Sequence, residues 1–172
     1  MNEQYGHKGY QDKVIESLAR YLRRCREVND PARAFAEITG ELWGAAHPYN
    51  QIHELGNGEK MPLDMPFVCL RVPTGGGKTV LGARTVKIFR DELLDTEHPL
   101  ALWLVPSDAI REQTLRVMRD RRHPLRQLLD EELGAVEILD GNEALNVQPA
   151  VLNGGCGVRW CSWTRSTTRG RR

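Results

Sequence analysis

Apolar residues in YQDKVIESLARYLRRCREV recur every three or four positions. Val14, Leu18, Leu22 and Cys25 form one stripe, Ile15 and Ala19 border it, and charged residues fill the opposite face. That period predicts an amphipathic helix. Ala34 to Trp43 carries a weaker version of the pattern and predicts a second helix, after which AAHPYNQIHELGNGEKMPLDMP reads as a long loop from its Gly, Pro and Asn content. FVCLRV, Phe67 to Val72, is a short and mostly apolar run ending at Pro73, which predicts a strand buried in a sheet. From Thr79 onward Val80, Ala83, Val86, Ile88 and Phe89 favour one side, as in a helix. ALWLV, Ala101 to Val105, predicts a second strand that breaks at Pro106, with Ser107 or Asp108 capping a helix over AIREQTLRVMRD. RRHPLRQLLDEELG predicts a further short helix ending near Gly134, and AVEILDG, Ala135 to Gly141, a third strand closed by an Asp-Gly turn.

Strand, loop, helix, repeated, is the order of a parallel α/β sheet flanked by helices. The pattern divides the chain into an amino-terminal helical segment with its loop (1–66), an α/β part (67–153) and a tail (154–172) without helical or strand period. The tail gains two of the four tryptophans and two of the four cysteines, loses every acid and keeps one aliphatic residue, Val158.

Composition adds limits. The 172 residues are 40% hydrophobic and 27% charged, ordinary for a globular chain, and no apolar run reaches the roughly 20 residues a membrane-spanning helix needs. The polar start MNEQYGHKGYQ lacks the apolar core of a secretory signal, so a cytoplasmic protein is expected. Four cysteines, Cys25, Cys69, Cys156 and Cys161, are too irregularly spaced for a disulfide framework, and Cys156 with Cys161 has no second Cys/His pair nearby to complete a zinc site. The net charge of +1 is uneven: the last nineteen residues hold five arginines (Arg159, Arg165, Arg169, Arg171, Arg172), leaving nineteen basic against twenty-three acidic groups in the rest, a net of −4. A basic tail can grip phosphates nonspecifically; the body is not a basic nucleic-acid binder.

The chemistry concentrates in CLRVPTGGGKTVLGA, Cys69 to Ala83. Gly75, Gly76 and Gly77 admit positive φ angles and let backbone N–H groups approach an anion that a Cβ would keep away. A strand feeding such a loop into a helix aims those groups, and the positive end of the helix dipole, at one spot suited to the β- and γ-phosphates of a nucleotide. Lys78 adds a point charge and the Thr79 hydroxyl is the expected Mg²⁺ ligand, so ATP and Mg²⁺ are the expected cofactors. Val72 stands where the general Gly-x-x-x-x-Gly-Lys-Ser/Thr pattern has its first glycine.

With that non-glycine lead residue, PTGGGKT resembles motif I of superfamily 2 (DEAD/DEAH-like) helicases, and CLRVPTGGGKT is most similar to proteins like the Res subunit of type III restriction enzymes. Two more segments agree in order and spacing. GYQDKVIESLARYL is similar to the Tyr-Gln element at the start of the family's first RecA-like domain, where the resemblance implies that Gln11 reads the adenine edge and Tyr10 packs nearby. ALWLVPSDAIREQTLRVM resembles motif Ia, which implies contact with a nucleic-acid backbone through Pro106, Ser107 and Gln113; Ser107 reads equally well as a helix cap alone. The resemblance covers roughly residues 8 to 145. It implies a partial RecA-like P-loop domain with Thr74 to Thr79 around the phosphates, DNA as a partner, and a modification or specificity subunit as a second one.

Hydrolysis in such a site also needs an Asp-Glu pair at a strand end to hold metal and orient water. The pairs available, Asp91-Glu92 and Asp130-Glu131, lie in helical contexts, so no catalytic residue is assigned. The second RecA-like domain, with its arginine finger, and a nuclease domain have no counterpart in the sequence. The expectation is therefore an amino-terminal fragment of a helicase-type ATPase without helicase-like turnover, its residues from about Gly157 onward an out-of-frame reading. A noncatalytic nucleotide- or nucleic-acid-binding module and a small P-loop kinase are the alternatives.

Overall fold

The computed structural model describes residues 9–49, 64–97, 99–147 and, for the backbone alone, 158–164. They mix helix and strand, helix predominating, and the chain divides into two compact units, one over His7–Asp95 and one from Thr96 onward. Among the described residues no helix is long and apolar enough to cross a membrane.

The first unit is helical. α1 (Gly9–Val28) buries Leu18, Leu22 and Cys25 of the stripe its period predicts, with Tyr21 added, while Val14 is half-buried. α2 (Pro31–Trp43) starts where the Asp30 side chain accepts from the Arg33 N–H at 3.0 Å, with Pro31 in the first turn, and ends at Gly44 in the left-handed region (φ 75°). α3 (Lys78–Phe89) runs into a π-helical turn, Arg90–Leu94. Ala34, Ile38 and Ile88 complete one apolar core with the α1 stripe, and Phe35 bridges Tyr21 and Tyr49 at ring-centroid distances of 5.8 and 5.5 Å. Burial and hydrogen bonding push the Tyr21 hydroxyl far above its usual range, and burial raises the Cys25 thiol, so neither ionises at neutral pH.

One expected strand is absent. Phe67–Val72 is irregular, without a ladder partner. Val68 packs against the core and the Phe67 N–H donates to the Tyr49 hydroxyl at 2.7 Å, but Phe67 and Leu70 stay exposed. Apolar content and a following proline describe a strand, yet a strand exists only where another strand accepts its hydrogen bonds, and the described residues of this unit contain none.

The second unit carries the strands. β1 (Leu100–Val105) leads into α4 (Asp108–Arg119) and α5 (Pro124–Leu133), then β2 (Val136–Asp140), α6 (Gly141–Leu145) and β3 (Val158–Thr164). β3 lies between the other two and pairs in parallel with both, Leu100 opposite Arg159 and Val136 opposite Val158. Leu115, Met118, Leu125, Leu129 and Leu133 are buried on α4 and α5, and Val136, Ile138 and Leu139 on β2, while Leu100, Leu102 and Leu104 on β1 are 60%, 61% and 69% exposed.

Two expectations are corrected here. The tail is not irregular throughout, because 158–164 is the central strand; residues 154–157 and 165–172 lie outside the described residues. Asp140-Gly141 does not close a turn. Asp140 instead caps α6, accepting from the Asn142 and Glu143 N–H groups at 2.9 Å each, while the Glu143 carboxylate accepts from the Asp140 N–H at 2.7 Å. D-x-x-E is a capping box, and that signal was present in the sequence.

Candidate functional site

The glycine loop is built on a turn. The Gly76 N–H donates to the Pro73 carbonyl at 3.0 Å, and Gly75 and Gly77 sit at φ 75° and 77°, where an L side chain is strained. Gly76 has no positive φ but has no room for a Cβ. One placed there would lie 2.6 Å from Val72 Cγ1, 2.8 Å from the Pro73 oxygen and 2.9 Å from the Tyr10 hydroxyl; one on Gly77 would lie 2.7 Å from Gln11 Nε2. Val72, the residue that departs from the general phosphate-loop pattern, is thus one reason why position 76 is glycine.

Gly77 is also the N-cap of α3. Caps are usually Ser, Thr, Asp or Asn, whose oxygen accepts an N–H of the first turn. Glycine supplies no such oxygen, and the first turn holds no acid. The positive end of this helix therefore has no side-chain acceptor at its cap and no carboxylate on its first turn to compete with an anion. Thr74, Gly75, Lys78 and Thr79 are exposed around it, Gly77 half-buried and Gly76 buried. The Lys78 ammonium donates to the Pro73 carbonyl at 3.0 Å, lying back along the loop.

Tyr10 and Gln11 reach the same place from the start of α1. The Tyr10 hydroxyl donates to the Gly76 carbonyl at 2.6 Å and Gln11 Nε2 donates to it at 2.9 Å, across 66 and 65 residues of chain. Gln11 is buried despite its amide, because its contacts are polar and internal. The structure thus brings together Tyr10, Gln11, Gly76 and Gly77, with Lys78 and Thr79 opening α3 beside them.

Of the other expected positions, Asp91-Glu92 lies in the first unit and the rest in the second. Pro106, Ser107 and Gln113 are exposed at the end of β1 and along α4; Ser107 Oγ accepts from the Ile110 N–H at 3.4 Å as the α4 cap. Both Asp-Glu pairs are helical. Asp91 is held by Lys87 and Arg90 at 2.6 Å each, which lowers its pKa, chiefly through the Arg90 hydrogen bond, and Glu92 is gripped by Arg23 through two bonds of 2.8 and 2.9 Å. Asp130 pairs with Arg126 at 2.9 Å. Among the described residues no group of three or more His, Cys, Asp or Glu side chains gathers as a metal site. Cys156 lies outside the described residues, as do four of the five tail arginines.

Sequence reasoning missed Arg126. It is buried, and its guanidinium donates to the Met118 carbonyl at 3.2 Å and the Val136 carbonyl at 2.7 Å as well as to Asp130. Its spacing four residues before Asp130 signalled the ion pair, but nothing local signalled burial. No family model, curated protein or solved structure matches this chain.

Proposed function

We propose that Thr74 to Thr79 bind the phosphates of Mg-ATP, and that the chain is the ATP-binding portion of a DNA-dependent ATPase of the superfamily 2 helicase type, similar to the Res subunit of type III restriction enzymes, on a partial RecA-like fold. The supporting observation is the start of α3: a run of three glycines, two at positive φ and two with no room for a Cβ, opening a helix with neither an acid in its first turn nor a side-chain cap, beside an exposed lysine. A polyphosphate fits that arrangement, since it supplies the acceptors the N–H groups lack. Thr79 would hold the Mg²⁺, which neutralises charge on the β- and γ-phosphates when bound. Lys78, released from the Pro73 carbonyl, would reach a phosphate oxygen. DNA and a specificity subunit are the partners proposed, with Pro106, Ser107 and Gln113 as the backbone-contacting positions.

A second reading, a nucleotide-binding module without catalysis, is favoured by the engagement of Asp91, Glu92 and Asp130 in ion pairs on helices. Gripping phosphates binds ground state and transition state alike, which does not lower the barrier to hydrolysis. Both readings require the loop to bind. A ligand at 100 times its Kd stabilises the folded state by about 2.7 kcal/mol. Mg-ATP is expected to raise the melting temperature of the wild type and leave that of Lys78→Ala unchanged; an equal rise in both overturns the assignment.

A further inference from the structure

We infer that Tyr10 and Gln11 are positioning residues for the phosphate loop rather than readers of the nucleotide base, so that the site selects for the polyphosphate and discriminates little among bases. The inference rests on the phosphate-site reading of Thr74 to Thr79 and departs from the adenine role that the resemblance implies for Gln11.

Each peptide carries an N–H that attracts an anion and a C=O that repels it, so a loop holds phosphate only if its carbonyls are turned away and kept there. In this loop two carbonyls have internal donors. Pro73 accepts from the Gly76 N–H and from Lys78 Nζ, and Gly76 accepts from the Tyr10 hydroxyl and Gln11 Nε2. The Gly76 carbonyl can only accept, so the Gln11 amide must turn its nitrogen toward it. The same nitrogen occupies the space beside Gly77, 2.7 Å from where a Cβ would stand, and Gln11 as a whole is 7% exposed. An amide buried against the loop backbone holds Gly76 and Gly77 in place at the start of α3, the point from which the helix N–H groups project. Its effect falls on whatever anion lies there, whichever base that anion carries.

Binding of Mg-ATP, Mg-GTP and inorganic Mg-tripolyphosphate to the wild type, Tyr10→Phe and Gln11→Met is the test. Tyr10→Phe removes one donor from a partly exposed ring, and Gln11→Met keeps the volume while removing the amide. Each is expected to weaken all three ligands by a similar factor, about three- to tenfold for one lost hydrogen bond. The melting temperature of Tyr10→Phe without ligand is expected to fall by only a few degrees, as one lost hydrogen bond allows, with the variant still folded at the assay temperature, which separates loop positioning from a general loss of stability. If Gln11→Met does not fold, Tyr10→Phe decides alone. A loss confined to Mg-ATP makes these residues base readers and overturns the inference, as does unchanged binding of all three ligands by both variants. A wild type that binds none of the three removes the phosphate-site reading itself and the inference with it, an outcome distinct from the other two.

Discussion

Single residues decide most at Gly76, Gly77 and Asp140. The three glycines were legible as a phosphate loop because their lack of Cβ is a property of the sequence. Which glycine meets which neighbour was not, since Tyr10 and Val72 crowd Gly76 from positions 66 and 4 residues away. At Asp140 the folded carboxylate has a lowered pKa, first because the Glu143 N–H donates to it, then the Asn142 N–H, with Arg119 and Arg111 adding attraction. A depressed folded pKa means that the charged cap contributes stability above the ordinary carboxylate value and loses it as pH falls through the folded value. The carboxylate is solvent-accessible, so screening keeps the electrostatic part small and the cap itself sets the size. Asp140→Ala is expected to destabilise the second unit by about 1 kcal/mol at pH 7. Urea unfolding at pH 7, 5 and 3 checks this: the difference from wild type should hold between pH 7 and 5 and shrink toward pH 3.

At the scale of elements, the longer helices were legible because each one's periodic stripe lies within its own segment, whereas the five-residue α6 has no room for such a period. α2 begins at Asp30 and ends at Gly44, and α5 begins at His123 and ends at Gly134. Strands depend on partners. Phe67–Val72 had the composition of a strand and no ladder; Val158–Thr164 had a ladder and no apolar period, with Trp160 and Trp163 spaced three apart against a period of two. Its valine, tryptophans and threonine did carry β propensity, the signal that a search for periodicity passes over. Arg126 ties the end of α4 to β2 by backbone carbonyls. Arg126→Met is expected to cost about 1–3 kcal/mol for each buried carbonyl left without its donor, whereas Asp130→Asn, at a partly exposed position, is expected to cost under about 1 kcal/mol. Denaturant midpoints of the two variants measure the ordering, and equal losses would show that the ion pair, not the carbonyl contacts, is what Arg126 supplies.

For the whole molecule, the order β1, β3, β2 makes the last described segment the bridge of the sheet, since β1 and β2 each pair with β3. A chain ending at Asn153 is expected to lose hydrogen-exchange protection along Leu100–Val105 and Val136–Asp140, because neither strand keeps its ladder partner. Retained protection in both would mean that β3 does not hold them. The sequence by itself determined the longer helices, the Ser107 cap and the Gly134 end, the bare glycine loop and the lysine and threonine after it, because each follows from spacing, side-chain volume or charge within one short segment. Only the tertiary structure decided which apolar runs became strands, that an arginine would be buried, and that Tyr10 and Gln11 would close on the carbonyl of Gly76. Those outcomes depend on hydrogen-bond partners distant along the chain, and a donor's partner is set by where the fold brings an acceptor, which no local pattern of residues encodes.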